Sequence, residues 1–195
     1  MLLNLLFPIL FFMAVPPLHP EYKIGDKVED FSLINTVDNK TVNLSDYSNE
    51  KAVVIIFASF SCPYSKIYEP RILNLVHTFD EQDVAFIFIN SHVSAPEDQI
   101  TAMAQWAKEK VNSYPYLTDP RKKVATLFAA TKTPEVFVLK NMKGNFILQY
   151  RGAIDDNPQD AKEVTTEYLK EAIIAVINDK ALKVSEKRAI GCIIR

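Results

Sequence analysis

Glycine is scarce in this chain: 195 residues contain only Gly25, Gly144, Gly152 and Gly191. Neither a G-x-G-x-x-G turn nor a G-x-x-x-x-G-K loop is present to cradle a phosphate. Cysteine is scarcer still, and Cys62 and Cys192 are too few for a disulfide scaffold. A zinc site would need further ligands, and His19, His77 and His92 are scattered without ligand spacing, so neither a metal nor another cofactor is expected. Charge of one sign is lacking too. With 22 Lys and Arg against 24 Asp and Glu, the formal net charge is -2, and no basic run invites nucleic acid. What remains is ordinary for a globular protein, 48% hydrophobic and 24% charged, at a length that suits one domain.

The ends differ from the middle. Residues 1–15 carry one polar side chain, Asn4, and Pro16, Pro17 and Pro20 then stop any helix. The run is shorter than the ~20 residues that span a bilayer and reads as a signal-peptide core or a membrane tether through residues 1–15. No Lys or Arg precedes it and no small-x-small cleavage site follows, so a buried N-terminal extension is the competing reading. The expectation is an exported or membrane-anchored protein if the segment is a signal, and a cytoplasmic one otherwise. The division expected is 1–20 leader, 21–179 domain and 180–195 basic tail.

Between these ends the pattern is that of an α/β domain. Ile24–Asp38 and Lys40–Leu44 read as short extended pieces around a Val37–Lys40 turn, and Ser45–Tyr47 as the start of a helical turn. Ala52–Ala58 and Val84–Ile89 are continuous apolar runs, as in strands buried on both faces. Ile72, Leu75, Val76 and Phe79 between them have helical spacing, so the three segments form a βαβ unit with parallel strands. A stripe from Ile100 to Val111 predicts a second helix after Pro96-Glu97-Asp98, and Lys122–Ala129 a short third one. Glu135–Leu139 and Phe146–Tyr150 predict a hairpin about Asn141–Gly144, and Leu169–Val176 a last helix with Asp155-Asp156 as its cap.

Cys62 follows the first buried strand and opens the first helix. A sulfur there meets unsatisfied backbone N–H groups and the positive end of the helix dipole, and both favour thiolate, the nucleophilic form. Pro63 suits the first helical turn, where its missing N–H costs nothing. Position alone therefore makes Cys62 the candidate reactive thiol, against the plainer reading of a buried structural cysteine.

The segment Cys62-Pro63-Tyr64-Ser65 resembles the C-P-Y-C motif of glutaredoxins and other thioredoxin-fold proteins, with Ser65 replacing the second cysteine. Pro70 resembles the proline that kinks the corresponding thioredoxin helix, and Thr133-Pro134 the cis-proline loop that faces the cysteine. The stretch "KIGDKVEDFSLINTVDNKTVNLSDY" is similar to the N-terminal extension of redoxins of the alkyl hydroperoxide reductase/thiol-specific antioxidant type. "SCPYSKIYEPRI", "YPYLTDP", "TPEVFVLK", "YRGAIDDN" and the terminal "GCIIR" resemble its peroxiredoxin-like subgroup. The resemblance implies a thioredoxin fold, a central mixed sheet flanked by helices, with an N-terminal β-rich extension. It implies a thiol-dependent oxidoreductase and antioxidant, with Thr133, Pro134, Pro63 and Tyr64 on the substrate.

Departures from the family pattern narrow the chemistry. Ser59 keeps the hydroxyl three before Cys62, but Ile55 stands where a peroxiredoxin proline belongs, Thr133-Pro134 where its arginine lies, and Ile56 where thioredoxin has a buried acid. Ser59 also replaces the first cysteine of a C-x-x-C pair. A lone thiolate attacks either a peroxide, giving sulfenic acid, or a disulfide, giving a mixed disulfide. A second thiol must resolve either product, and the candidates are Cys192 and an external thiol reductant. Ser59 and Ser65 are candidate hydrogen-bond donors to the sulfur, Arg151 a candidate positive charge beside it, and His92 a candidate proton carrier. Arg71, Glu69 and Trp106 read as structural. The partner is then a peroxide or a protein or small-molecule disulfide; the rival reading is a catalytically silent thioredoxin-fold module that binds peptides.

Overall fold

The computed structural model describes residues 21–92, 98–110 and 114–194. The leader expected at residues 1–20 lies outside them, and no helix among the described residues is long and apolar enough to cross a membrane. Elements follow in the order β1 (Lys27–Val28), β2 (Ser32–Asn35), β3 (Thr41–Asn43), β4 (Ala52–Phe57), α1 (Pro63–Phe79), β5 (Val84–Asn90), α2 (Ile100–Lys110) and β6 (Tyr116–Thr118). They continue with α3 (Lys123–Leu127), β7 (Lys132–Thr133), β8 (Glu135–Met142), β9 (Asn145–Gly152), α4 (Tyr168–Ile177), β10 (Glu186–Lys187) and β11 (Cys192–Ile193).

Strand order in the main sheet is β1-β9-β8-β4-β5-β6-β2-β3, with β10 added beside β9. β4 pairs in parallel with β5 and antiparallel with β8, so the sheet is mixed about its central strand. The reason β4 and β5 read as unbroken apolar runs is that both faces are covered. Val54, Ile56, Phe86 and Phe88 pack with Ile72, Val76 and Phe79 of α1 and Leu169 and Ile173 of α4. Val53, Ile55, Phe57, Ala85, Ile87 and Ile89 turn the other way, against Phe128 beside α3 and Tyr22, Val28 and Phe31 of the N-terminal extension.

Two sequence expectations change. The last helix is not capped by Asp155-Asp156: α4 begins at Tyr168 after Glu167. Asp155 instead is buried, pairs with Arg71 of α1 at 2.6 Å and accepts from the Tyr68 hydroxyl at 2.8 Å. Asp156 meanwhile takes the Thr165 amide at 3.0 Å. The second is the tail, read from sequence only as a basic segment, which docks on the sheet. β10 runs parallel to β9, with Arg151 N donating to Ser185 O at 3.1 Å and Ala153 N to Lys187 O at 3.0 Å. β11 then forms an antiparallel pair with β7, where Cys192 faces Thr133 and Ile193 faces Lys132.

Candidate active site

β4 ends at Phe57, and the loop 58–61 turns the chain into α1, whose N-cap is Cys62 in extended conformation with Pro63 next in the helix. The turn closes through Cys62 N donating to Ser59 O at 3.2 Å. Across from it, the Thr133–Pro134 peptide bond is cis. The Cys62 sulfur lies 2.9 Å from the Thr133 carbonyl oxygen and is bonded to the sulfur of Cys192, with Cα atoms 5.8 Å apart across 130 residues of sequence. That separation falls in the usual range for a disulfide.

The backbone is shaped to receive the tail. At Gly191 a side chain would run into the Thr133 carbonyl, and at Gly152, φ +126°, into the Lys187 carbonyl. Two of the four glycines are thus needed where the tail meets the body. Glu135 supports the receiving strand from the other side. Its carboxylate accepts from Thr131 N at 2.8 Å and Lys132 N at 3.0 Å. Burial raises its pKa above the ordinary value, and those backbone donors and the Arg151 charge only partly oppose that.

Access is asymmetric. Cys62 is 1% exposed, whereas Cys192 is partly exposed. Pro63 is exposed and Tyr64 half-buried, while Thr133 is buried and its hydroxyl has no hydrogen-bond partner among the described residues.

Two of the polar side chains assigned to the sulfur from sequence, those of Ser59 and Arg151, have other partners. The Ser59 hydroxyl donates to Asp98 at 2.9 Å, and Ser65 is buried with its hydroxyl accepting from Ser59 N at 3.3 Å. Arg151 is not beside the sulfur as a free charge: its guanidinium is paired with Glu186 of β10 at 2.7 Å, because β9 carries it to the sheet edge where the tail docks. His92 is half-buried, and its backbone N–H donates to Asn90 at 2.7 Å. Arg71 is held by Asp155, and Glu69 accepts from the Trp106 indole at 3.0 Å, both away from Cys62. Among the described residues no group of His, Cys, Asp or Glu converges as a metal site.

Three residues escaped the sequence reading. Asp98, fully buried, holds the loop before Cys62, and Asn90 at the end of β5 donates to it at 2.8 Å. Glu135 holds the strand that receives the tail. For the tail the sequence offered Cys192 as a second thiol, and its docking leaves a trace in the scarce glycines inside "YRGAIDDN" and "GCIIR".

The family model described as the AhpC/TSA family matches residues 24–157. Among solved structures, an uncharacterized conserved protein from Geobacillus kaustophilus is 30% identical, covering 89% of this chain and 92% of that one at a TM-score of 0.80. A hypothetical protein from Sinorhizobium meliloti is 26% identical, covering 90% and 95% at a TM-score of 0.79. The peroxidoxin BcpB from Mycobacterium tuberculosis, at 18% identity, 80% and 94% coverage and a TM-score of 0.53, shares the fold alone. No curated protein matches the chain.

Proposed function

We propose, from the premise that the chain belongs to the AhpC/TSA family of redoxins and so carries a thiol-dependent redox activity, that its reaction is dithiol–disulfide exchange through Cys62 and Cys192. The observation that carries this reading is the Cys62–Cys192 bond, seated on a tail strand that the fold accommodates with two glycines. In the oxidative direction the Cys62 thiolate attacks a substrate disulfide, forms a mixed disulfide and expels one substrate thiolate. Cys192 thiolate then attacks the Cys62 sulfur, expels the second, and closes the internal disulfide. An external dithiol returns two electrons by the same two exchanges. Its thiolate attacks Cys192, the more exposed sulfur, and Cys62 leaves as a thiolate at the N-terminus of α1.

Peroxide reduction is the second reading, since family members and this chain share a hydroxyl at Ser59. Against it, that hydroxyl and the Phe60 and Ser61 amides are all given to Asp98, and Arg71 and Arg151 are given to Asp155 and Glu186. Few donors are left for the oxygens of a peroxide. The test compares turnover of a small aromatic disulfide with turnover of hydrogen peroxide, both driven by dithiothreitol, in wild type, Cys62→Ser and Cys192→Ser. Disulfide turnover that needs both cysteines supports the proposal. Faster peroxide consumption that survives Cys192→Ser would overturn it.

A further inference from the structure

We infer that Asp98, from the segment between β5 and α2, is a positioning residue for Cys62: it locks the turn that presents the sulfur and tunes the thiol through its charge, so that the Cys62–Cys192 pair is a reducing rather than an oxidising couple. The inference deepens the exchange reading and rests on it for its redox consequence.

Asp98 is completely buried. One carboxylate oxygen accepts from Phe60 N at 2.7 Å and from the Asn90 amide at 2.8 Å. The other accepts from the Ser59 hydroxyl at 2.9 Å and Ser61 N at 3.3 Å. Three consecutive residues immediately before Cys62 thus hang on one side chain. Among the described residues no ion pair to Asp98 occurs, and the groups facing it are the Ser59–Ser61 turn, Asn90 of β5, and Tyr116 of β6, whose phenol is pushed up chiefly by burial and then by the Asp98 charge.

Two consequences follow. The Phe60 and Ser61 amides, which precede the helix, are held by the Asp98 carboxylate and so are not available to the sulfur. A like charge held nearby in a low-dielectric interior also disfavours the thiolate. The Thr133 carbonyl, 2.9 Å from the sulfur, acts in the same direction. A less acidic Cys62 is a poorer leaving group and a better-stabilised disulfide, which is the poise of an electron donor.

The test is a pH titration of the ultraviolet thiolate absorbance in Cys192→Ser, where Cys62 is the sole cysteine. Asp98→Asn keeps an acceptor oxygen and removes the charge; it is expected to give roughly tenfold more thiolate at a fixed pH below the midpoint. Ser59→Ala removes a donor and leaves the charge less compensated, so its titration should shift the opposite way. In chains that keep both cysteines, equilibration with glutathione should show Asp98→Asn about tenfold more readily reduced, ~30 mV. Shifts in the same direction for both variants, or an unchanged titration in folded Asp98→Asn, would overturn the inference. If Asp98→Asn does not fold, Ser59→Ala alone decides by the sign of its shift. A wild type that forms no internal disulfide in glutathione sinks the exchange reading, while the thiolate titration still tests Asp98.

Discussion

Cys192 sits opposite Thr133 in an antiparallel ladder, and this pairing delivers its sulfur to Cys62 from the strand that leads into the cis Thr133–Pro134 bond. The tail is about fifteen residues beyond α4, and at ~3.3 Å per residue it could reach on the order of 50 Å. A free tail of that reach would sample many positions away from Cys62. Strand pairing at β7 and β10 removes that search, as resolution of an oxidised Cys62 by Cys192 would require.

Gly191→Val tests the docking itself. The new side chain meets the Thr133 carbonyl, so β11 must leave β7. The expected outcome is a loss of at least tenfold in the rate of internal disulfide closure after a diamide pulse, with the melting of the domain little changed. Acid-quenched samples resolved by mass give the rate. Closure as fast as wild type would show that the ladder is not needed.

Resolution by Cys192 is tested with peroxide. Under a pulse, wild type should stop at the disulfide, whereas Cys192→Ser should proceed to sulfinic acid on Cys62. Identical products in the two proteins would leave Cys62 a one-cysteine site.

The point of attack can be trapped. Oxidised protein given a brief exposure to glutathione and quenched in acid should carry the adduct on Cys192, because Cys62 is only 1% exposed. Peptide mass spectrometry locates it, and an adduct confined to Cys62 contradicts the access argument.

Glu135 predicts a pH dependence. Its pKa in the fold is raised, chiefly by burial, so the folded state binds this proton more tightly than the unfolded one. The contribution to stability is full below the unfolded carboxylate range and is lost as pH rises through the raised folded value. Glu135→Gln keeps an oxygen for the Thr131 and Lys132 amides and removes the ionisation. The variant should therefore match wild type in acid and gain on it as pH rises to neutral, read by denaturant unfolding across pH 4–8, a range set by the usual carboxylate pKa of about 4.3.

Asp155→Ala should destabilise the protein by about 3 kcal/mol, since it strands the largely buried Arg71 without its counterion. Urea unfolding measures this, and a loss below about 1 kcal/mol would mean that solvent reaches the guanidinium.

Period and composition sufficed for the central layers. The apolar runs at Ala52–Ala58 and Val84–Ile89, the helical spacing of Ile72 to Phe79 and the turn at Asn141–Gly144 are local signals, and β4, β5, α1 and the β8–β9 hairpin appear where those signals lie. Cys62 at the N-cap of α1 belongs to the same class, because a Cys-Pro dipeptide between a strand and a helix has few other places to go. The short β6, β7, β10 and β11 carry no such signal: two or three residues set no period, and their pairing depends on partners far along the chain. Which hydroxyl donates where was equally out of reach. Ser59 faces Asp98 rather than the sulfur because Asn90, at the end of β5, holds Asp98 under the turn, 39 residues from Ser59 in sequence. The meeting of Cys62 with Cys192 spans 130 residues. The sequence supplied two thiols and a helix end; packing of the tail on β9 and β7 decided that the thiols meet, because a long-range contact is fixed by the surfaces between its ends and not by the residues that make it.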